Sequence, residues 1–283
     1  AGVVLNLLLL FAIRRFTNKS LGAYKHLQTI FASFDVFLCI LQLAVEPKVV
    51  IRQTTFGVVT DTPLKSRRVT SFFCACMAVP FALMNIHFLY RYWSVRRPHL
   101  IPLFSDKKFI VFLGALPVGV AAAWYLLCVS GLNGEIDENG TKILSAEYNR
   151  RYGKVLWHGW IVMDYWASGF LDGRLLLLMC CFDAIMLAAF TVALTLASLT
   201  FFHIKRAEKF SVATQQLQLQ LFIVVSAQTF VPLVSVYIPT FCAINFAAFR
   251  LPIRYVDTHC MTLLACFPAW NAVIMIGLMK DYR

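Results

Sequence analysis

Apolar residues in this chain gather into long blocks, at 1–13, about 26–45, 69–90, 109–131, 175–202, 217–243 and 257–279, with shorter polar stretches between them. Apart from the first, each block reaches the ~17–25 residues needed to cross the hydrocarbon of a bilayer. No water is available there for backbone donors and acceptors, so each segment must satisfy its own hydrogen bonds, which a helix does. The pattern predicts an all-α membrane protein, a seven-transmembrane helix bundle forming one domain over residues 1–283. The block "AGVVLNLLLLFAI" ends at Arg14 and Arg15. It gives about 20 Å of helix against a core of ~30 Å, so the first helix is expected to be truncated at its outer end. Pro80, Pro117, Pro232, Pro239 and Pro268 fall inside the blocks, where neighbouring helices accommodate kinks. No repeat of the kind expected for a two-halves transporter is visible.

Composition agrees with the blocks. Hydrophobic residues make up 60% and charged residues 14%, against about 25% charged in soluble domains. A net charge of +12 would suggest nucleic acid in a soluble chain. Here the basic residues sit in loops, and membrane lipids with anionic headgroups are the expected partner, not nucleic acid. The loops 14–25, 91–108, 203–216 and 280–283 carry 14 Lys/Arg in 48 residues, and the loops 46–68, 132–174 and 244–257 carry 12 in 80. The basic-dense set is expected on the cytoplasmic side, which puts the N-terminus outside. This makes Asn139 of "NGT" a glycosylation candidate in an outer loop, whereas Asn18 of "NKS" lies inside. The nine cysteines fall in or beside apolar blocks, without zinc spacing, and are expected to pack as small apolar side chains.

Polar residues inside the blocks are the candidates for function. Stepping back from Arg91 by three or four residues gives His87, Met84, Phe81 and Met77 on one helical stripe. Arg91 is expected to point inward at the cytoplasmic mouth, while Arg96 and Arg97 reach headgroups. Asp35 lies near the middle of the second block and Asp183 about 13 Å into the fifth. Asp183 is either a ligand contact or bonded to a neighbouring helix. Gln228, Pro232, Ser235 and Pro239 share helical spacing in the sixth block, and Pro232 is expected to kink it. Met77, Phe81, Met84, Asp183, Gln228 and Tyr237 form the candidate ligand pocket, with adaptable thioether walls. No G-x-S-x-G, H-E-x-x-H or zinc-spaced Cys/His group occurs, so neither an enzyme, a metal site nor a cofactor is expected.

The Arg91–Tyr92 pair, with Val95 and Pro98 following, resembles the Asp-Arg-Tyr signature of rhodopsin-like G-protein-coupled receptors. The longer stretch "NIHFLYRYWSVRRP" is similar to the third-span signature of the nematode Str serpentine chemoreceptors, which have Tyr in place of Asp. "PKVVI", "TQQLQLQLF", "AQTFVPLVSVYIPT" and "FPAWNAVIMIGLMKDYR" match that family's pattern, so the resemblance runs through all seven spans. It implies a chemosensory receptor that binds a small-molecule odorant from outside and activates a cytoplasmic heterotrimeric G protein. It also implies a multi-pass protein of the plasma membrane, in the cilia of chemosensory neurons. Arg91, Tyr92 and Pro98 would border the G-protein interface. Asn6, Asp35 and Asn271 resemble the polar network joining spans one, two and seven. Three departures stand out. Tyr90 cannot form the charge pair that Asp would make with Arg91, leaving a weaker hydrogen bond as the resting lock. Ala272 follows Asn271 where Pro is common. No cysteine pair is placed for the usual outer disulfide. The competing reading is a ligand-gated seven-helix odorant channel of inverted topology.

Overall fold

The computed structural model describes residues 1–16, 24–132, 138–206, 211–251 and 256–279; Asn18 lies outside them. The helices are α1 (Gly2–Phe16), α2 (Tyr24–Val45), α3 (Arg67–Arg96), α4 (Lys107–Gly131), α5 (Glu138–Tyr152), α6 (Gly173–Lys205), α7 (Val212–Pro232), α8 (Ile238–Ala248) and α9 (Val256–Leu278). A run from Thr214 to Ala248 joins α7 and α8 through a π-helical turn, Leu233–Tyr237, into one span. Among the described residues, six helical runs are long and apolar enough to cross a membrane, and α1 is the seventh helix of the bundle. Their starts carry the expected caps. Ser66 accepts from Val69 N–H, Asp106 from Lys108, Asp172 from Arg174 and Leu175, and Ser211 from Thr214. Each side chain satisfies donors that the first helical turn leaves unpaired.

Burial sorts the spans by their solvent. In α3, 78% of the most apolar window is inside the protein, against 11% in α4 and 22% in α6. The central helix is therefore α3, and α4 presents Val111, Phe112 and Val118 outward at 67–73% exposure. Such a surface needs an apolar covering, which the hydrocarbon of a bilayer supplies. The spanning segments make this a multi-pass membrane protein.

The irregularity expected at Pro232 takes a specific form. The ring removes one backbone donor, and the helix re-forms by widening: Ile238 N–H donates to the Leu233 carbonyl, five residues back.

The loops 46–68 and 132–174, whose polar character suggested irregular connections, build a small domain over one end of the bundle. Strands β1 (Pro47–Arg52) and β2 (Thr55–Thr60) form an antiparallel hairpin with Arg52 opposite Thr55, and β3 (Ile161–Asp164) pairs antiparallel with β2. The alternation of a strand then decides two faces. Val49, Ile51, Phe56, Val58, Ile161 and Met163 pack into the bundle core. Val50, Val59 and Val162 pack on the other face with Leu144 and Tyr148 of α5, together with Leu156 and Trp160. Gly57 makes this possible, because a Cβ there would run into Leu144 and Trp160.

Polar fasteners hold the layers. The Tyr148 hydroxyl donates to Asp61 at 2.8 Å, and the Thr70 hydroxyl on α3 donates to the Gly159 carbonyl at 2.8 Å. Glu147 receives Arg150 and Arg151, each at 2.6 Å, with Arg52 at 3.9 Å. Hydrogen bonds from Arg150, then Arg151, pull its carboxyl down to about 2. Trp166 ties this layer to α8: its indole N–H donates to the Ala248 carbonyl at 2.9 Å, and the Arg250 guanidinium lies 3.8 Å above its ring. None of the nine cysteines is joined in a disulfide.

Candidate functional site

Three features along α3 and its neighbours bear on function: a cavity under the sheet, a buried polar contact midway, and the Arg91 cluster at the far end. The cavity has a volume of about 90 Å³, with α3, α4, α6, the π turn, α8 and α9 as walls and the inner sheet face as roof. Its sequence-predicted lining is only partly assembled. Met77 and Phe81 line it. Tyr237 stands behind Phe81, edge to face at 5.7 Å. Met84 lies farther along α3 in the other core cluster. Asp183 accepts from Asn245 Nδ2 at 3.1 Å, an α6–α8 tie beside the cavity, which is the neighbouring-helix alternative for that residue. Gln228 is buried, and its Oε1 has no acceptor role filled among the described residues.

Sequence reasoning missed the roof residues Phe56, Val58, Ile161 and Met163, and the wall residues Trp124 and Thr240. The β-branched runs "KVVI" and "GVVT" were the available signal for the roof. Trp124 stacks at 4.6 Å on Phe182, and both line the space.

Midway, Asn271 Nδ2 donates to Asp35 Oδ2 at 3.2 Å in a fully buried contact between α9 and α2. Asn6 Nδ2 donates to the Pro268 carbonyl at 2.9 Å and to the Gly2 carbonyl at 3.0 Å. The three predicted residues therefore fasten spans one, two and seven, through one side-chain pair and one side chain to backbone. Gly2 allows the close approach, since a Cβ there would lie 2.7 Å from Cys39 Sγ.

At the far end Arg91 is only 2% exposed. Its guanidinium lies 4.1 Å over the ring of Tyr24 at the start of α2, and 5.8 Å from that of Tyr90. The contact Arg91 makes in this structure is thus a stack on Tyr24. Arg91 Nε and Nη2 have no acceptor among the described residues. Aromatic packing surrounds the group: Tyr24 stacks on Tyr90 at 5.4 Å, His87 meets Phe31 at 4.0 Å, and Tyr90 meets Phe104 at 5.0 Å. Pro98 opens the 3-10 helix Pro98–Ser105 that delivers Phe104, its fixed φ suiting the first position. Tyr92 faces another way, with its ring 6.0 Å from His203 on α6. A buried cation with free N–H groups at a bundle end is suited to receiving an acceptor from outside. Asn139 is exposed in the first turn of α5, at the sheet end.

The family described as serpentine type 7TM GPCR chemoreceptor Str matches the sequence over residues 1–283. Among curated proteins, the serpentine receptor class r-10 of Caenorhabditis briggsae is 27% identical over 289 residues, covering 98% of this chain and 84% of that protein. Its counterpart in Caenorhabditis elegans is 27% identical over 291 residues, with the same coverage. The G-protein coupled receptor str-217 of Caenorhabditis elegans is 24% identical over 304 residues, covering 99% of this chain and 84% of that protein.

Proposed function

Because this chain belongs to the Str family of serpentine seven-helix chemoreceptors, we propose that it is an odorant receptor of the plasma membrane. In this reading a small molecule from outside binds in the cavity beneath the sheet, and a cytoplasmic heterotrimeric G protein engages the Arg91 end. The family is one of receptors, not enzymes, and no chemistry is performed on the ligand.

The observation that carries the reading is the position of both ends on one helix. Met77 and Phe81 line the cavity, and Arg91 follows on the same rigid α3, about 15 Å from Phe81 by helix rise. A ligand that binds one bundle arrangement better than another shifts their populations. Span six touches both regions, with its π turn bordering the cavity and Leu221, Val224 and Val225 of α7 in the core cluster that holds Tyr90. Movement about Pro232 would open a cleft in which Arg91 and Tyr92 meet the partner, with Pro98 shaping the adjoining turn. The Asn6, Asp35 and Asn271 contacts would hold spans one, two and seven as the fixed frame. The basic-dense loops support an outer sheet end, as does Asn139 on the exposed face of α5, and the resemblance points to ciliary membranes.

Expression in heterologous cells tests this. The expected result is glycan at Asn139, none at Asn18, and an odorant-evoked cAMP, cGMP or calcium signal that needs Gα and is lost in Arg91→Ala. Odorant-evoked current that persists without G protein, together with glycan at Asn18, would replace the reading with the inverted channel.

A further inference from the structure

Sulfur is concentrated at one place in this protein. Six of the 21 residues lining the cavity beneath the sheet carry it: Cys74, Met77, Cys128, Met163, Cys260 and Met261. The whole chain has nine Cys and eight Met in 283 residues, so the enrichment belongs to this wall and not to the chain at large.

Two of these side chains meet. Cys74, half-buried on α3, and Cys128, 3% exposed on α4, face each other across the seam between their helices, close enough for one thiol to donate to the other. Met77 follows Cys74 by three residues, which brings its thioether onto the same face of α3, and it lines the same cavity. Cys76 is the contrast. Two positions on from Cys74, it turns away into a separate groove among α2, α3 and α4.

The donor set decides which ion fits. The lining residues include no carboxylate, imidazole or amine, and Asp183 beside them is taken by Asn245. Among the described residues, no three of His, Cys, Asp or Glu converge into a metal-holding group. Calcium or magnesium would find no oxygen cage, and zinc would find two of the four ligands that its closed tetrahedral sites use. Thiol and thioether sulfur select Cu(I), a soft ion that is content with fewer donors. Charge agrees with this choice. When Cu+ binds, one S–H bond breaks, one Cu–S bond forms and the proton leaves to solvent, with no electron transferred. The site is neutral before and after, so the apolar walls surround no uncompensated charge.

We propose that Cys74 and Cys128, with Met77 as third donor, form a binding site for a soft monovalent cation of the Cu+ class at the α3–α4 wall of the cavity. The bound ion ties α3 to α4. The site goes beyond the receptor reading and does not depend on it, since it requires neither an odorant nor a G protein.

The test uses the full chain in lipid nanodiscs with its thiols reduced, carrying Cys180→Ser and Cys266→Ser to remove the two exposed thiols. The probe is Ag+ as its nitrate, a redox-inert ion of the same charge and softness. Uptake is read by calorimetry in two buffers of different ionisation enthalpy, which counts protons, by Tm, and by X-ray absorption at the silver edge. One tight ion per chain, one proton released, a concentration-dependent rise in Tm and a shell of sulfur alone are expected. Magnesium and zinc ions should leave Tm unchanged. Cys74→Ala and Cys128→Ala should each lose the uptake, Met77→Leu should weaken it and keep the proton release, and Cys76→Ala should leave it as it was. The Tm of each variant without silver separates a lost site from a lost fold, and Cys74→Ser and Cys128→Ser replace an alanine variant that fails to fold. Tight uptake that survives the loss of Cys74 and of Cys128 overturns the proposal. So does uptake lost in Cys76→Ala, a shell containing nitrogen or oxygen, or no uptake by the fully reduced protein. No readout here passes through signalling, so failure of the G-protein assay leaves this site standing, and failure of the site leaves the receptor reading standing.

Discussion

Replacing Tyr24 separates the stack that holds Arg91 from everything else near it. The guanidinium sits 4.1 Å over that ring and is 2% exposed, so it belongs among desolvated cation–π contacts, worth about 2 kcal/mol. Tyr24→Phe keeps the ring and removes a hydroxyl with no partner among the described residues, so it should change little. Tyr24→Leu removes the ring face. If the stack stabilises the resting arrangement, its loss shifts the equilibrium about 30-fold. A receptor active about 1% of the time without ligand would then be active roughly a quarter of the time. The assay is ligand-free nucleotide exchange by the G protein at equal surface expression, with Tm measured alongside. A large rise for Leu and none for Phe is expected. Equal behaviour of the two variants, or a fall in basal exchange for Leu, would refute the reasoning.

Other contacts give further outcomes. Asn271→Leu leaves Asp35 without its partner from α9 and should cost about 1–3 kcal/mol in thermal stability, checked by unfolding in detergent; Asn6→Leu breaks two bonds, to the Gly2 and Pro268 carbonyls, and should also destabilise in the same assay. Glu147 is held below the usual carboxylate range when folded, so its contribution is complete at neutral pH and is lost as pH falls from about 4.5 towards 2. Protection factors in α5, which allow for the intrinsic slowing of exchange in acid, should therefore fall on acidification in the wild type, and Glu147→Gln should show the lower protection at pH 7. Trp166→Phe keeps a ring under Arg250 but loses the bond to Ala248. Exchange should rise modestly at 161–172, and markedly more in Trp166→Ala.

The spans were legible because lipid imposes one rule on every residue: twenty or so apolar positions in a row, capped by residues such as Ser66 and Asp106. That Asp35 needs a partner or a wet cavity was legible for a related reason, the cost of a carboxylate at that depth, whereas Asn271 as the partner came from the family resemblance. The sheet was not. Its strands are six residues or fewer, and the hairpin turns at Gln53, whose φ of 54° is reached without the glycine or asparagine that usually marks such a turn. The pocket was read from spans alone, so its roof was missed with the sheet. Tyr24 was invisible for another reason: it acts as an aromatic face presented across two helices, which depends on no local pattern. Arg91 stood out as a cation ending an apolar block, but what it rests on is a tertiary fact.

The most direct test of the central claim is nucleotide exchange on purified G protein with the receptor in nanodiscs, comparing wild type and Arg91→Ala at saturating ligand. Faster exchange with the wild type, lost in the variant while ligand binding is retained, is the predicted result. Exchange that ignores ligand, or that survives loss of the guanidinium, would contradict it.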